Sequence, residues 1–178
     1  YTKVLPGDTS RDIWTTSVPF SAYPKVVNPK SGFVINSNNT PFLAAGPGSE
    51  MNPADYSLLL GIERGMTNRG TRAVSLLTAA GKVTPEQLLK IKFDKGYARE
   101  SWVGGWMQQV LAAPMSDDPA LQAAQKLLAT WDWTSDGQGS ADALAERVIR
   151  TASMNNWRRE ALPCLLYTSD AADDSLRV

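Results

Sequence analysis

The sequence predicts an α+β fold, with strands within residues 1–45 followed by helices. Three observations carry this. The first quarter holds short β-branched and aromatic runs separated by turn residues. From about Asp55 apolar residues recur at helical spacing. The helix-start pattern of a capping residue followed by proline occurs at Thr84-Pro85 and again at Asp118-Pro119. The chain has 178 residues, 43% apolar and 20% charged, the size of one domain or of a piece of a larger one.

Each element has a local reason. Val4-Leu5 runs into the turn Pro6-Gly7-Asp8. Val26-Val27 and Phe33-Val34-Ile35 are strand formers, and Asn28-Pro29-Lys30-Ser31-Gly32 between them reads as a hairpin loop. Alternation puts Phe33 and Ile35 on one face, Val34 and Asn36 on the other. Asn36-Ser37-Asn38-Asn39-Thr40-Pro41 contains no strand former and reads as a turn or hydrogen-bonding loop. Gly46-Pro47-Gly48 and Asn52-Pro53 make residues 43–57 a loop. The helical pattern after Asp55 is weakened by Gly61, Gly65 and Gly70. Ala73, Val74, Leu76, Leu77 and Ala80 form the apolar stripe of a helix over 67–80, closed by Gly81. Thr84-Pro85-Glu86-Gln87 has the capping-box pattern, with a helix to about Asp94. The charged stretch from Lys90 to Glu100 reads as a solvated helix face. Asp118-Pro119 starts another helix, with Leu121, Ala124, Leu127, Leu128 and Trp131 on its buried side. Ser140 caps a last helix through about Ala152.

Composition excludes several classes of function. Eighteen basic residues balance eighteen acidic ones, against the basic excess of nucleic-acid or anionic-membrane proteins. There is no histidine, so no Ser-His-Asp or Cys-His mechanism and no imidazole-held zinc can arise within the chain. The single cysteine, Cys164, permits no internal disulfide. No apolar run approaches the roughly 20 residues of a membrane span.

Few residues suggest chemistry. Asn36, Asn38 and Asn39 stand within four positions. An asparagine N–H fixed at a strand end can donate to an oxyanion, whereas spacing alone favours a turn that uses asparagines for its own backbone. Arg69 falls at the start of the helix over 67–80, where a cation opposes the helix dipole at a cost of a few tenths of a kcal/mol. It is placed either for a ligand or simply in solvent. Trp102 and Trp106, and Trp131 and Trp133, are more often core or rim packing than ligand platforms. Asp117-Asp118 and Asp132 with Asp136 fit helix starts and turns. Gly46-Pro47-Gly48 and Gly104-Gly105 lack the strand–loop–helix context of a phosphate cradle.

Two features make a fragment the expectation. The sequence begins Tyr1-Thr2-Lys3. Residues 164–178, Cys-Leu-Leu-Tyr-Thr-Ser-Asp-Ala-Ala-Asp-Asp-Ser-Leu-Arg-Val, resemble the conceptual translation of a sequencing adapter. The expected organisation is therefore a native region over 1–162 and a non-native tail over 163–178. Without Arg177, Asp170, Asp173 and Asp174, 17 basic and 15 acidic residues remain.

The block Asn28-Pro29-Lys30-Ser31-Gly32-Phe33-Val34-Ile35-Asn36-Ser37-Asn38-Asn39-Thr40-Pro41 resembles the Asn-Pro-x-x-Gly-aromatic…Asn-x-Asn-Asn-x-Pro signature of the penicillin amidase family, which includes penicillin acylases and acyl-homoserine-lactone acylases. Leu5-Pro6-Gly7, Pro19-Phe20 and Tyr23-Pro24-Lys25-Val26-Val27 resemble the strands before it. Met66-Thr67-Asn68-Arg69 resembles the Thr-Asn-Arg helix of the acylase branch, and Thr84-Pro85-Glu86-Gln87 and Leu127-Leu128-Ala129-Thr130-Trp131-Asp132 have family look-alikes.

This resemblance implies an N-terminal-nucleophile hydrolase with a layered αββα core, cut by itself into two chains. The second chain's first residue would attack the linear amide of an N-acyl compound, its own α-amino group serving as base, a chemistry that needs no histidine. It implies Asn38 as the oxyanion-hole asparagine and Arg69 as the arginine that orients it. It further implies a periplasmic or secreted enzyme, completed by an α chain and by the N-terminal part of the β chain, neither within these residues. The fragment alone would be inactive, with a small N-acyl substrate for the whole and neither nucleic acid nor membrane as partner. No cofactor is implied within the fragment. Some members hold calcium through an aspartate between the two motifs, and Asp55 lies in that interval at a spacing to Arg69 that does not match. The alternatives are a non-catalytic binding module of the same fold, or a structural or glycan-binding protein using its tryptophans.

Overall fold

The structure is a computed structural model that describes residues 7–13 and 15–159. Val4, Leu5, Pro6 and the segment 163–178, with Cys164, lie outside the described residues. Five α-helices are described: α1 (Asn68–Ala80), α2 (Pro85–Lys92), α3 (Trp102–Ala112), α4 (Pro119–Leu128) and α5 (Gly139–Arg159). Before α1 the chain makes single 3-10 turns at Ser10–Asp12, Phe20–Ala22, Pro41–Leu43, Pro53–Asp55 and Leu58–Leu60.

The helices begin where side chains satisfy their first N–H groups. Thr67 caps α1 by accepting from Gly70 N, and Gly81 closes it at φ 61°. Thr84 and Gln87 form the capping box of α2, with Pro85 in the first turn. Ser101 caps α3 and Asp118 caps α4. Asp142, in the first turn of α5, is 3% exposed and its Oδ2 accepts from Gly137 N at 2.6 Å, holding the preceding turn. Asp132 and Asp136 likewise accept from Thr134 N and Gln138 N.

The main core lies among α3, α4, α5 and the link between the last two. Val103, Met107, Leu128, Trp131, Trp133, Ala145 and Ile149 form one buried cluster. Trp131 stacks on Trp133 at 5.0 Å and meets Tyr97 edge-on at 5.2 Å. Residues 95–97 lie against 133–135 through Tyr97 N to Trp133 O (2.7 Å) and Ser135 N to Lys95 O (2.9 Å). A second cluster, nearer the N-terminus, centres on buried Phe42 and Ala45, with Tyr56 packed 5.3 Å from Phe42.

The expected strands are absent among the described residues. Among the described residues there is no strand, only an isolated antiparallel bridge between Gly96 and Thr134, so the α+β sandwich gives way to a helical architecture. Val26-Val27 and Phe33-Val34-Ile35 are not paired with one another. Strand geometry is held by ladder bonds to a neighbour, and a lone hairpin is marginal in water. Here Asn28 and Gly32 take left-handed φ values of 52° and 77°, Gly32 N bonds back to Pro29 O, and Ile35 N reaches Ala44 O. Val27 and Val34 are 82% and 61% exposed. The side-chain alternation persists without a sheet: Phe33 and Ile35 are half-buried, Val34 and Asn36 exposed.

Four helix expectations also need correction. α5 starts at Gly139 and runs to Arg159, so Ser140 lies inside its first turn rather than capping it and the helix does not stop near Ala152. The pattern after Asp55 produces only 3-10 turns until Asn68, since Gly61 takes φ 62° and ends the Leu58–Leu60 turn. α2 stops at Lys92, so the stretch to Glu100 is not one helix face. Leu121 is exposed rather than buried.

The irregular stretch after α2 is tied to α1 by charge. Arg72 Nε and Nη2 donate to Asp94 Oδ1 and Oδ2 at 2.7 and 3.0 Å. Gly96 lets the guanidinium lie on its backbone, since a Cβ there would meet Arg72 at 2.7 Å. The Arg72 hydrogen bond, with Gly96 N–H and the Arg72 charge, holds the Asp94 carboxyl below its ordinary 3.8 against the opposing effect of burial. A depressed carboxyl contributes stability that is present above its unfolded value and lost as pH falls through the folded one. Asp94→Asn is therefore expected to lower stability by up to about 1 kcal/mol at pH 6. The difference from the parent should shrink as pH falls below 3.8. Urea midpoints at pH 6 and pH 3 check this; an equal difference at both would refute it.

Candidate functional site

The amide-rich loop divides its labour among its asparagines. Asn36 Oδ1 accepts from Asn38 N at 3.3 Å. Asn39 Oδ1 accepts from Ser37 N, and its Nδ2 donates to Thr40 O, each at 2.8 Å. These are Asx-type bonds in which a short amide replaces a backbone turn. Asn36 and Asn39 are thus the loop's own scaffolding. Asn38 is exposed and takes φ 52°, a left-handed conformation that asparagine tolerates better than most residues. Among the described residues nothing bonds to its side-chain amide.

The loop is seated on the entry to α1. Thr67 Oγ1 donates to Ser37 O at 3.1 Å, and Thr40 N donates to Gly65 O at 3.0 Å. Thr40 is fully buried, and its hydroxyl accepts from Phe42 N, joining the loop to the Phe42 cluster. On the other side, Asn68 Oδ1 accepts from Ala98 N at 2.9 Å and lies 3.1 Å from Ser101 Oγ, fastening the same turn to the start of α3. Arg69 follows as an exposed residue in the first turn of α1. The structure therefore brings the Asn38 loop and the Arg69 turn together, although 30 residues separate Ser37 from Thr67.

The other sequence candidates lie elsewhere. Trp131 and Trp133 are buried and Trp106 is half-buried, which counts against a glycan platform; Trp102 is exposed. Asp55 Oδ1 accepts from Asn52 Nδ2 at 3.2 Å, and no group of three His, Cys, Asp or Glu suited to a metal occurs among the described residues. An open groove of about 280 Å³, lined by Trp106, Arg147, Val148, Thr151 and Ala152, shares no residue with the loop.

The family model for penicillin amidase matches residues 2–176. The chain belongs to the penicillin amidase family. Hydrolysis of amides is accordingly the chemistry to which it is related. No helix among the described residues is long and apolar enough to cross a membrane. For this family member, Thr67 and Asn68 enter the sequence reading only within the Met66–Arg69 motif, and Gly70 only as a glycine that weakens the helix; none of the three was expected to contact the Asn38 loop. The signal for Thr67 was a helix-capping threonine directly before the first turn; its second bond, to Ser37, has no local sequence signature.

Proposed function

We propose that this chain is the part of an N-terminal-nucleophile amidohydrolase that supplies Asn38 as oxyanion donor and Arg69 as the charge beside it. The substrates are N-acyl compounds, such as side-chain amides of β-lactam antibiotics or acyl-homoserine lactones. The attacking residue comes from a segment outside these 178 residues, so the chain alone is inactive. A nucleophile using its own α-amino group as base suits a sequence without histidine.

One observation carries the reading. Two of the three asparagines are spent on the loop backbone, which leaves Asn38 displayed beside the N-terminal turn of α1. That turn has the partial positive charge of a helix start and carries Arg69. Negative charge developing on a carbonyl oxygen is favoured there, and the bonds of Asn36 and Asn39 fix the backbone from which the Asn38 amide would donate. The enzyme is proposed to be exported to the periplasm or secreted. Calcium in the full enzyme is a further part of this proposal, and Asp55 is not assigned to it.

The test is release of free amine from phenylacetyl and fatty-acyl amides. The full-length enzyme should release it and the 178-residue chain should not. Turnover that survives loss of the Asn38 side chain would overturn the reading.

A further inference from the structure

We infer that Thr67 and Gly70 are positioning residues that set where Asn38 stands, an inference that rests on the oxyanion reading of Asn38. The Thr67 hydroxyl works in two directions. As acceptor it takes Gly70 N at 3.0 Å and caps α1; as donor it gives its proton to Ser37 O at 3.1 Å. A cap needs only the acceptor. The donor half serves the loop.

Gly70 acts from the other side of Asn38. It is buried, and a Cβ placed on it would stand 3.0 Å from Asn39 Cβ, 3.2 Å from Asn39 Cγ and 3.0 Å from Met66 Cε. The absent side chain is what lets the loop lie this close to α1. Glycine inside a helix costs stability relative to alanine, so local propensity does not explain the residue. Ser37 and Asn39 flank Asn38; Thr67 bonds to the first, and Gly70 leaves room for the second. The position of Asn38 is thus bracketed to within one residue on either side. Asn68, bonded to Ala98 N, keeps that turn from shifting with respect to α3.

Two substitutions separate positioning from simple helix stability. Thr67→Asp keeps a good capping acceptor and removes the donor, because an ionised carboxylate only accepts. Gly70→Ala favours the helix and crowds Asn39. In the full-length enzyme both are expected to lower kcat at least tenfold with KM within twofold. Thr67→Ser, which retains the hydroxyl, should keep at least half of the parent kcat. Hydrogen exchange of the Thr40 amide, bonded to Gly65 O, should quicken in Thr67→Asp and Gly70→Ala and not in Thr67→Ser.

Parent-like kcat in Thr67→Asp and Gly70→Ala, alongside an inactive Asn38→Ala, would overturn the positioning inference while leaving the oxyanion reading intact. If Asn38→Ala were itself active, the oxyanion reading would fall. Exchange at Thr40 would then decide whether Thr67 and Gly70 hold the loop, and unchanged exchange would reject that too. Should Thr67→Asp fail to fold by circular dichroism, Gly70→Ala decides by the same measurements.

Discussion

Trp131→Ala is expected to cost the chain about 3–5 kcal/mol of folding stability, the range for removing a large aromatic side chain from a core. Trp131 is 5% exposed and joins three parts of the molecule. It stacks on Trp133, meets Tyr97 edge-on, and lies three residues beyond the end of α4, so its ring packs the α4–α5 link against the irregular stretch after α2. Its indole Nε1 also donates to Thr134 O at 2.8 Å. Truncation would leave a cavity and strand that carbonyl together. Trp131→Phe keeps a ring and loses the indole hydrogen bond, worth about 1 kcal/mol, plus part of the contact area. Trp102→Ala, at a side chain 49% exposed, should change stability by no more than about 0.5 kcal/mol. Urea denaturation of the three variants would show this order. A Trp131→Ala protein as stable as Trp102→Ala would mean that the aromatic cluster does not hold the helices together.

The helices were legible because their determinants are local. Thr84, Pro85 and Gln87 specify the start of α2 within four residues, and Asp118-Pro119 does the same for α4. Gly81 ends α1 at a positive φ of 61°, which glycine adopts without strain. The strands failed for a complementary reason. Val26-Val27 and Phe33-Val34-Ile35 have strand composition and, for the latter, strand alternation, but pairing is a property of two segments. β-branched residues record a tendency to pair without recording a partner. Among the described residues they are unpaired and stay irregular, with Val27 and Val34 turned to solvent. The glycines after Asp55 show the same competition in a helix: Leu58-Leu59-Leu60 starts a turn and Gly61 stops it.

The loop that carries the candidate Asn38 was partly legible. Composition showed an amide-rich loop, and the resemblance singled out Asn38 from its neighbours. Spacing could not do so, because Asn36, Asn38 and Asn39 are chemically the same residue. The distinction lies in which amides are already engaged: Asn36 and Asn39 bond to the loop, and that depends on backbone angles no residue count reveals. The Thr67–Ser37 bond is less readable still. Thr67 looks like a helix cap and is one, and the cap conceals its second bond to a residue 30 positions away.

Asn38→Ala is expected to reduce kcat of the full-length enzyme by about 10²–10³, the effect of removing one oxyanion donor, which corresponds to about 2.7–4 kcal/mol of barrier. Alanine alone would be an ambiguous choice. Asn38 has φ 52°, and alanine in that region is strained by about 1–2 kcal/mol, so the loop could shift as well as lose its donor. Asn38→Gly removes the side chain and relieves the strain. If the amide donates to the oxyanion, both variants lose turnover alike, while the glycine variant keeps parent-like stability. Asn36→Ala provides the comparison from within the loop, because it removes an acceptor for Asn38 N and leaves the Asn38 side chain in place. Its loss should be smaller, and the loosened loop should show in faster amide exchange. The decisive result is Asn38→Gly: turnover within a few-fold of the parent would mean that the exposed amide does not touch the reacting carbonyl. A fall as deep as that of alanine, in a protein of unchanged stability, would place the effect on the transition state rather than on the fold.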